Sequence, residues 1–388
     1  MGEFLELGRS FLAQAAENAS DTEKVKYQAT TAGLVTAYCS ILIMSVIPII
    51  FGSFSSAQQQ KNQKANGEQT ETMSTKDAMM FPLIASCALF GLYVVFKIFG
   101  KEHVNMLLTL YFFLIGVLAL AATISPVLRK IVPQDLIKND EYHTSMRRTT
   151  ANSMIFDLKF DHYDILGIGI AAVFGGWYLV KKHWIANNLF GLAFAHNGIT
   201  LLHLNSVATG CILLGGLFVY DVFWVFGTDV MVTVAKSFEA PIKLVFPQDF
   251  LENGVWGKHF AMLGLGDIVI PGIFIALLLR YDLSKGTDSK LYFSLSFAAY
   301  VLGLILTVIV MTVFKHAQPA LLYLVPLCVG VPLFVALVKG EIKPLFLYRD
   351  TPDEGDDEEQ EHAKASSAKK VDGDKKEGVA TRSRAKKD

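Results

Sequence analysis

Gly215-Gly216-Leu217-Phe218-Val219-Tyr220-Asp221-Val222-Phe223-Trp224 is an apolar stretch with a single charged side chain, the carboxylate of Asp221. A second stretch of the same kind, Met262-Leu263-Gly264-Leu265-Gly266-Asp267-Ile268-Val269-Ile270, surrounds Asp267. An aspartate at the middle of a bilayer costs roughly 2.5 to 3.5 kcal/mol, so it persists mainly where it lines a polar cavity with a function. Two such residues predict one shared site inside a membrane.

The chain around these stretches is rich in apolar runs. Its 388 residues are 52% hydrophobic and 18% charged, against about 25% charged residues in ordinary soluble domains. Runs of about 20 apolar residues, the length that crosses a bilayer, recur along most of the sequence. We therefore expect an all-α polytopic membrane protein, a bundle of nine transmembrane helices at residues 31–53, 79–99, 104–128, 163–181, 184–204, 206–228, 259–280, 291–314 and 317–338.

Polar segments flank the predicted transmembrane domain of residues 31–345. Residues 1–30 form an N-terminal segment, and residues 346–388 form a charged tail with too few apolar residues to build a core. Such a composition predicts disorder in the tail. The formal net charge of −1 gives no reason to expect a nucleic acid as a partner.

Orientation follows from a few residues near the two ends, which an odd number of spans places on opposite sides of the membrane. Lys339, Lys343 and Arg349 follow the last span and favour a cytosolic C-terminus. The sequon at Asn18 can be glycosylated only in the lumen, which favours a lumenal N-terminus. The pair Lys386-Lys387 is one position away from the usual spacing of a dilysine retrieval signal, and it supports an endoplasmic reticulum address only loosely.

Helix geometry predicts that the two aspartates lie at the same depth. Asp221 lies about seven residues before the end of the sixth predicted span, and Asp267 about eight after the start of the seventh. At about 1.5 Å per residue, each lies roughly 10 to 12 Å below the same membrane face. Two close carboxylates in a poorly solvated site share one proton and titrate as a unit. That arrangement can activate a water for peptide hydrolysis.

Three further elements surround the aspartates in the sequence. Gly264 and Gly266 allow close backbone approach and a helix start that is easily loosened. Tyr220 is placed to line the substrate side, although an interfacial or packing tyrosine is the alternative. Pro319 begins the last span and is followed by the small Ala320, so this turn either packs against the site or is only a helix cap.

Other chemistries find less support in the sequence. All four cysteines lie in apolar runs without metal-ligand spacing, so we expect them to pack among apolar side chains and to bind no metal. His196 and His203 share a helix face and are interpreted as packing or water-contacting residues. Intramembrane aspartates also suit a proton or cation transporter. A non-catalytic membrane chaperone or degradation adaptor is the second alternative.

Three motifs carry a resemblance to a known family. Tyr220-Asp221, Gly264-Leu265-Gly266-Asp267 and Pro319-Ala320-Leu321, on the sixth, seventh and ninth spans, resemble the GxGD intramembrane aspartyl proteases, which include the presenilins and the signal peptide peptidases. Longer stretches are similar to the signal peptide peptidase branch, namely residues 223–228, 236–243 and 318–326. The resemblance extends over roughly residues 30–345.

The resemblance implies an intramembrane aspartyl endopeptidase without a cofactor. Asp221 and Asp267 are then catalytic, and Pro319, Ala320 and Leu321 shape the site. The implied partners are membrane lipid and transmembrane-helix substrates: residual signal peptides and some type II or tail-anchored proteins of the endoplasmic reticulum membrane. A homo-oligomer and the degradation machinery of that membrane are compatible with this function. Residues 236–250 either bind an unwound substrate strand or form a solvated loop.

Overall fold

Twelve α-helices, nine of them with 18 or more residues, form most of this computed structural model, which describes residues 30–67, 72–132, 142–147, 154–228, 230–238, 240–286, 289–314 and 318–350. The helices are α1 Thr31–Asn66, α2 Thr75–Phe99, α3 Lys101–Ile131, α4 His162–Lys181, α5 Trp184–Leu201, α6 Val207–Phe226, α7 Val230–Ser237, α8 Phe250–Asn253, α9 Gly266–Ser284, α10 Leu291–Phe314, α11 Leu321–Val338 and α12 Ile342–Leu347. Asn18 and the tail beyond residue 350 lie outside the described residues, so the predictions for them stay predictions.

Each of the nine predicted spans corresponds to one long helix. Seven of these, α1 to α4, α6, α10 and α11, are long and apolar enough to cross a membrane by length and composition. The prediction of a helical polytopic membrane protein is therefore confirmed. The other two, α5 and α9, contain more polar side chains, and their crossing of the membrane stays a prediction.

Helix α9 is the central element of the bundle, in contact with α1, α5, α6, α10 and α11. Its residues 275–279 are completely inaccessible to solvent. Neighbouring helices approach it closely, since a Cβ on Gly272 would lie 2.5 Å from the side chain of Ile199 on α5. Because protein rather than lipid surrounds α9, this helix can carry charged residues without exposing them to hydrocarbon.

Within the described residues, three small sheets supplement the helices, although the sequence analysis predicted none. Strands β1 Thr72–Met73 and β4 His203–Leu204 pair in parallel. Two antiparallel pairs follow, β2 Tyr142–Arg147 with β3 Met154–Phe160 and β5 Lys243–Pro247 with β6 Phe260–Gly264.

The third of these sheets changes a predicted boundary. The seventh span was expected to begin near residue 259, but residues 260–264 are β6, and α9 begins only at Gly266. Backbone pairing explains the difference, since Lys243 lies opposite Gly264 and Pro247 opposite Phe260. The backbone N–H and C=O groups of β6 pair with those of β5, so these residues do not form the first turns of the helix.

The boundary of the C-terminal tail also differs from the prediction. Disorder was expected from residue 346, but α12 runs to Leu347, and Asp350 is only 2% exposed. The carboxylate of Asp350 is paired with the buried guanidinium of Arg280, which holds this end of the chain against α9.

Candidate active site

Asp221 lies near the end of α6, five residues before Phe226, and only 4% of it is exposed. Its Oδ2 accepts a hydrogen bond of 3.0 Å from the backbone N–H of Leu321, the first residue of α11. Backbone N–H groups in the first turn of a helix have no intrahelical acceptor, and they favour a negative charge. The structure thus brings Leu321 into direct contact with Asp221.

The turn before α11 holds this donor in place. Ala320 has helical angles (φ −67°, ψ −37°) and is 8% exposed. The N–H of Leu322 donates to the carbonyl oxygen of Pro319 at 3.3 Å, so the helical turn begins at the proline. Pro319 itself has no N–H to leave unpaired at this position.

Asp267 is the second residue of α9 and lies beside the same cavity as Ala320, whose neighbour Leu321 binds Asp221. It is only partly buried, because it lines a cavity of about 100 Å³ together with Gly264, Thr307 and Ala320. A single water needs about 10 to 15 Å³ of space measured in this way, so a cavity of this size has room for water. The structure therefore places one carboxylate against a helix N-terminus and the other at a space that can hold water.

Asp221 and Asp267 lie at a similar level in the bundle for a different reason from the one that the sequence predicted. The sequence interpretation placed Asp267 about eight residues inside its helix, but the helix begins one residue before it. Asp221 and Asp267 still lie near the same end of the bundle, because α6 ends and α9 begins there. β6 approaches the site as extended chain, so a strand rather than a helical turn precedes Asp267.

The remaining predicted site residues have distinct surroundings. Tyr220 is half-buried, with its ring 6.5 Å from that of Trp224. A Cβ on Gly264 would lie 3.5 Å from Oδ2 of Asp267, whereas one on Gly266 would meet no atom within 4 Å. Leu265 is buried and packs into the core. Gly264 is thus the glycine that leaves space beside the carboxylate.

Two asparagines of α5 support the β5–β6 hairpin, and the sequence analysis did not single them out. The amide nitrogen of Asn187 donates to the carbonyl oxygen of Lys243 at 2.8 Å. Asn188 binds Val245 twice, donating to its carbonyl oxygen at 2.7 Å and accepting from its N–H at 2.9 Å. Adjacent asparagines in an otherwise apolar span were the available signal, because buried amides need partners.

Asp249 closes the loop between β5 and β6 and was also not singled out. It is 1% exposed, and its carboxylate accepts hydrogen bonds from the N–H groups of Lys258 (3.0 Å) and His259 (3.4 Å) and from the side chain of Asn253 (3.0 Å). Burial alone would raise the pKa of Asp249, but these hydrogen bonds hold it below its ordinary value. The carboxylate thus fixes the loop that leads through β6 to Asp267.

Replacing Asp249 with alanine is expected to lower the free energy of unfolding by about 2 kcal/mol, because buried donors lose their acceptor. Asp249→Asn keeps one oxygen at the site and is expected to lose less. The depressed pKa means that the carboxylate stabilises the fold above about pH 4 and that this contribution disappears as the pH falls through the lower folded value. Thermal unfolding in detergent measures both effects; unchanged stability of Asp249→Ala would contradict this role.

Comparison with known proteins identifies the family of this chain. A family model for signal peptide peptidase matches residues 65–352. The chain is 56% identical over 324 residues to the signal peptide peptidase of Homo sapiens, covering 83% of this chain and 85% of that protein. It is 53% identical over 349 residues to the signal peptide peptidase of Mus musculus, covering 88% and 92%.

Among solved structures, a presenilin family intramembrane aspartate protease shows a loose similarity, with a TM-score of 0.42 and 16% identity over 77% of this chain and 98% of that one. The family model and the two mammalian relatives carry the assignment, since each covers most of the chain. The chain belongs to the signal peptide peptidase family of intramembrane aspartyl proteases.

Proposed function

We propose that Asp221 and Asp267 are the catalytic dyad of this protease and hydrolyse peptide bonds of transmembrane-helix substrates within the bilayer. The observation that carries the proposal is that the start of α11 touches both carboxylate environments: Leu321 binds Asp221, and its neighbour Ala320 lines the cavity beside Asp267, which has room for water. A transporter also needs membrane-buried carboxylates, but membership of a protease family favours hydrolysis.

The surroundings of the two carboxylates suggest different roles. The N–H of Leu321 stabilises the ionised form of Asp221, since it donates to a carboxylate oxygen. Asp267 then holds the shared proton and polarises the carbonyl group of the scissile bond. Asp221 takes a proton from a water, which attacks the carbonyl carbon, and the resulting neutral diol collapses as the leaving nitrogen receives a proton. Pro319 and Ala320 support this arrangement by fixing the turn that presents the donor.

The exposed side of β6 supports a role in substrate binding. Ala261 and Leu263 are buried, whereas Met262 and Gly264 on the alternate positions are exposed. A peptide bond in a transmembrane helix becomes accessible only after local unwinding, and an unwound segment can pair with the edge of a small sheet. We assign this role to β6, because a substrate segment paired with this strand would lie next to Asp267.

The names of the relatives, signal peptide peptidase, suggest signal peptides as the substrate class. We propose that these are signal peptides left in the endoplasmic reticulum membrane, and the family resemblance of the motifs adds some type II or tail-anchored proteins to this proposal. We also propose a lumenal N-terminus glycosylated at Asn18 and a cytosolic C-terminus. Removal of glycan from the microsomal protein should increase its gel mobility, and Asn18→Gln should abolish that shift. Contacts with a second copy or with degradation machinery belong to the same proposal.

The decisive experiment uses the purified full chain in lipid nanodiscs with a synthetic signal peptide. We expect cleavage within the apolar segment of the peptide, and we expect a hydroxyl-containing transition-state isostere with a photoreactive group to label the protein. Asp267→Ala should abolish both. Labelling that persists in Asp267→Ala, or a pure protein that binds but never cleaves the peptide, would contradict the proposal and favour the adaptor alternative.

A further inference from the structure

A buried ion pair lies at the end of α9 that is distant from the candidate site. Arg280 is 13 residues beyond Asp267, or about 20 Å along the helix. Its Nε donates to Oδ2 of Asp350 at 2.7 Å, and its Nη1 donates to Oγ of Ser56 on α1 at the same distance. The side chains of Arg280 and Asp350 are 1% and 0% exposed.

Asp350 also binds the chain that leads into α6. Its backbone N–H donates to the carbonyl oxygen of Asn205 at 2.8 Å, and its Oδ1 accepts from the hydroxyl of Tyr348 at 2.6 Å. The neighbouring Arg349 forms a β-bridge with Ser206, the N-cap of α6. The segment 348–350 therefore connects the end of α9 to the start of α6; we call Arg280, Asp350 and this segment the C-terminal clasp.

The clasp joins the three helices that build the candidate site. α6 carries Asp221, α9 carries Asp267, and α11, which begins with Leu321, leads through α12 to the clasp. At the site, the N–H of Leu321 binds Asp221. The clasp thus links the three helices at the end distant from the site, whereas at the site the hydrogen bond from Leu321 joins only α6 and α11. An axial shift of α9 at the clasp would therefore move Asp267 relative to Asp221.

The chemistry of the clasp favours a geometric role over a purely stabilising one. A buried ion pair is often no more stabilising than well-packed apolar residues of similar volume, because both charges must leave water. Nη2 of Arg280 has no hydrogen-bond partner among the described residues, which adds to that cost. A guanidinium that donates to two acceptors in fixed directions nevertheless defines position more closely than apolar contact does.

We propose that Arg280 and Asp350 are positioning residues for the cleavage reaction, which fix the axial position of α9 and hence the separation of the two carboxylates. The inference rests on the proposed role of Asp221 and Asp267. It assigns a function in catalysis to two residues at the end of α9 that is distant from the two carboxylates. A reacting group that is misplaced by about 1 Å can lower the reaction rate about a hundredfold.

The experiment replaces the ion pair by apolar residues in the full chain. Arg280→Met and Asp350→Leu are made singly and together, and each protein is measured for thermal unfolding, for kcat and KM on a signal peptide, and for its active fraction by titration with the transition-state isostere. The single variants leave one buried charge unpaired and are expected to unfold more easily. The double variant removes both charges, so we expect it to unfold near the wild-type temperature.

The double variant decides between positioning and stability. We expect its kcat per active molecule to fall by about tenfold or more with KM within about threefold, because transition-state geometry rather than substrate binding is altered. Wild-type kcat per active molecule in the folded double variant would overturn the proposal. If the double variant does not fold, Arg280→Lys takes its place: it keeps the charge without the two-pronged geometry, and wild-type kcat there would also overturn the proposal.

An exposed ion pair beside the clasp provides a matched control. Lys285, just beyond α9, donates to Glu341, just before α12, at 2.6 Å, and these side chains are 29% and 36% exposed. Glu341 also accepts a hydrogen bond from the hydroxyl of the buried Tyr292 at 2.7 Å, so the control keeps an acceptor there. Lys285→Met with Glu341→Gln is expected to change kcat by less than about twofold, because exposed pairs contribute little. Equal losses in both double variants would overturn the specific role of Arg280 and Asp350. Cleavage that survives Asp221→Asn would instead refute the dyad, which none of these variants alters.

Discussion

Cleavage of a signal peptide is expected to fall by about 10³-fold or more when either Asp221 or Asp267 is replaced by asparagine, because each carboxylate serves as acid or base in the same proton transfers. Asparagine has nearly the same shape but cannot exchange a proton. The double variant should be no less active than either single one, since both residues act as one unit. Rates are measured on purified protein in nanodiscs by mass spectrometry of the products.

Asp282→Asn provides the matched control for this prediction. Asp282 is also on α9 and 2% exposed, but it is 15 residues from Asp267 and accepts a hydrogen bond from the N–H of Phe293 at 2.9 Å. Asparagine preserves that acceptor, so cleavage should remain close to the wild-type rate. If Asp221→Asn kept more than about a tenth of the wild-type rate, the loss would lie below the range of acid–base catalysis, and the dyad assignment would be wrong.

Ala320→Leu is expected to reduce kcat/KM by about a hundredfold, since the larger side chain enters the cavity beside Asp267 and displaces water. Ala320 also precedes the donor Leu321, and crowding there would move the N–H away from Asp221. Overpacking of this kind typically costs about 1 to 3 kcal/mol, so the variant should still fold. The measurement is kcat/KM on the signal peptide, with thermal unfolding recorded in parallel.

An exposed alanine of a neighbouring helix serves as control for that substitution. Ala298 lies on α10 with its side chain directed away from the core, so Ala298→Leu should leave kcat/KM unchanged. Ala320→Gly removes a methyl group instead of adding bulk and should keep most of the activity. A fully active Ala320→Leu protein would show that the cavity does not hold the water used in the reaction.

The buried hydrogen bonds explain why some features escaped the sequence analysis. Asn188 and Asp249 are ordinary polar residues in the sequence, and their importance arises from acceptors and donors that folding brings to them. The pairing of β5 with β6 is equally non-local. Hydropathy assigned residues 259–265 to a helix, because a strand buried on one face and a helix segment of this length are hard to distinguish by composition.

The two aspartates could be singled out from the sequence, whereas the ion pair of the clasp could not. A charged residue in an apolar run is conspicuous wherever the chain places it, so the amino-acid sequence was enough to identify Asp221 and Asp267. Arg280 lies in a similar run, but its partner Asp350 is 70 residues away and precedes an acidic tail. Nothing local distinguishes Asp350 from the acidic residues that follow it.

The helical membrane architecture, the approximate extent of the long helices and the choice of Asp221 and Asp267 as candidates all followed from the amino-acid sequence, because the cost of burying polar groups in hydrocarbon is local and depends on residue type. The folded chain was needed to establish that Leu321 donates to Asp221, that a strand leads into Asp267, and that Asp350 closes the far end of α9. These features depend on directional hydrogen bonds between distant parts of the chain, whose partners are defined by packing and not by composition.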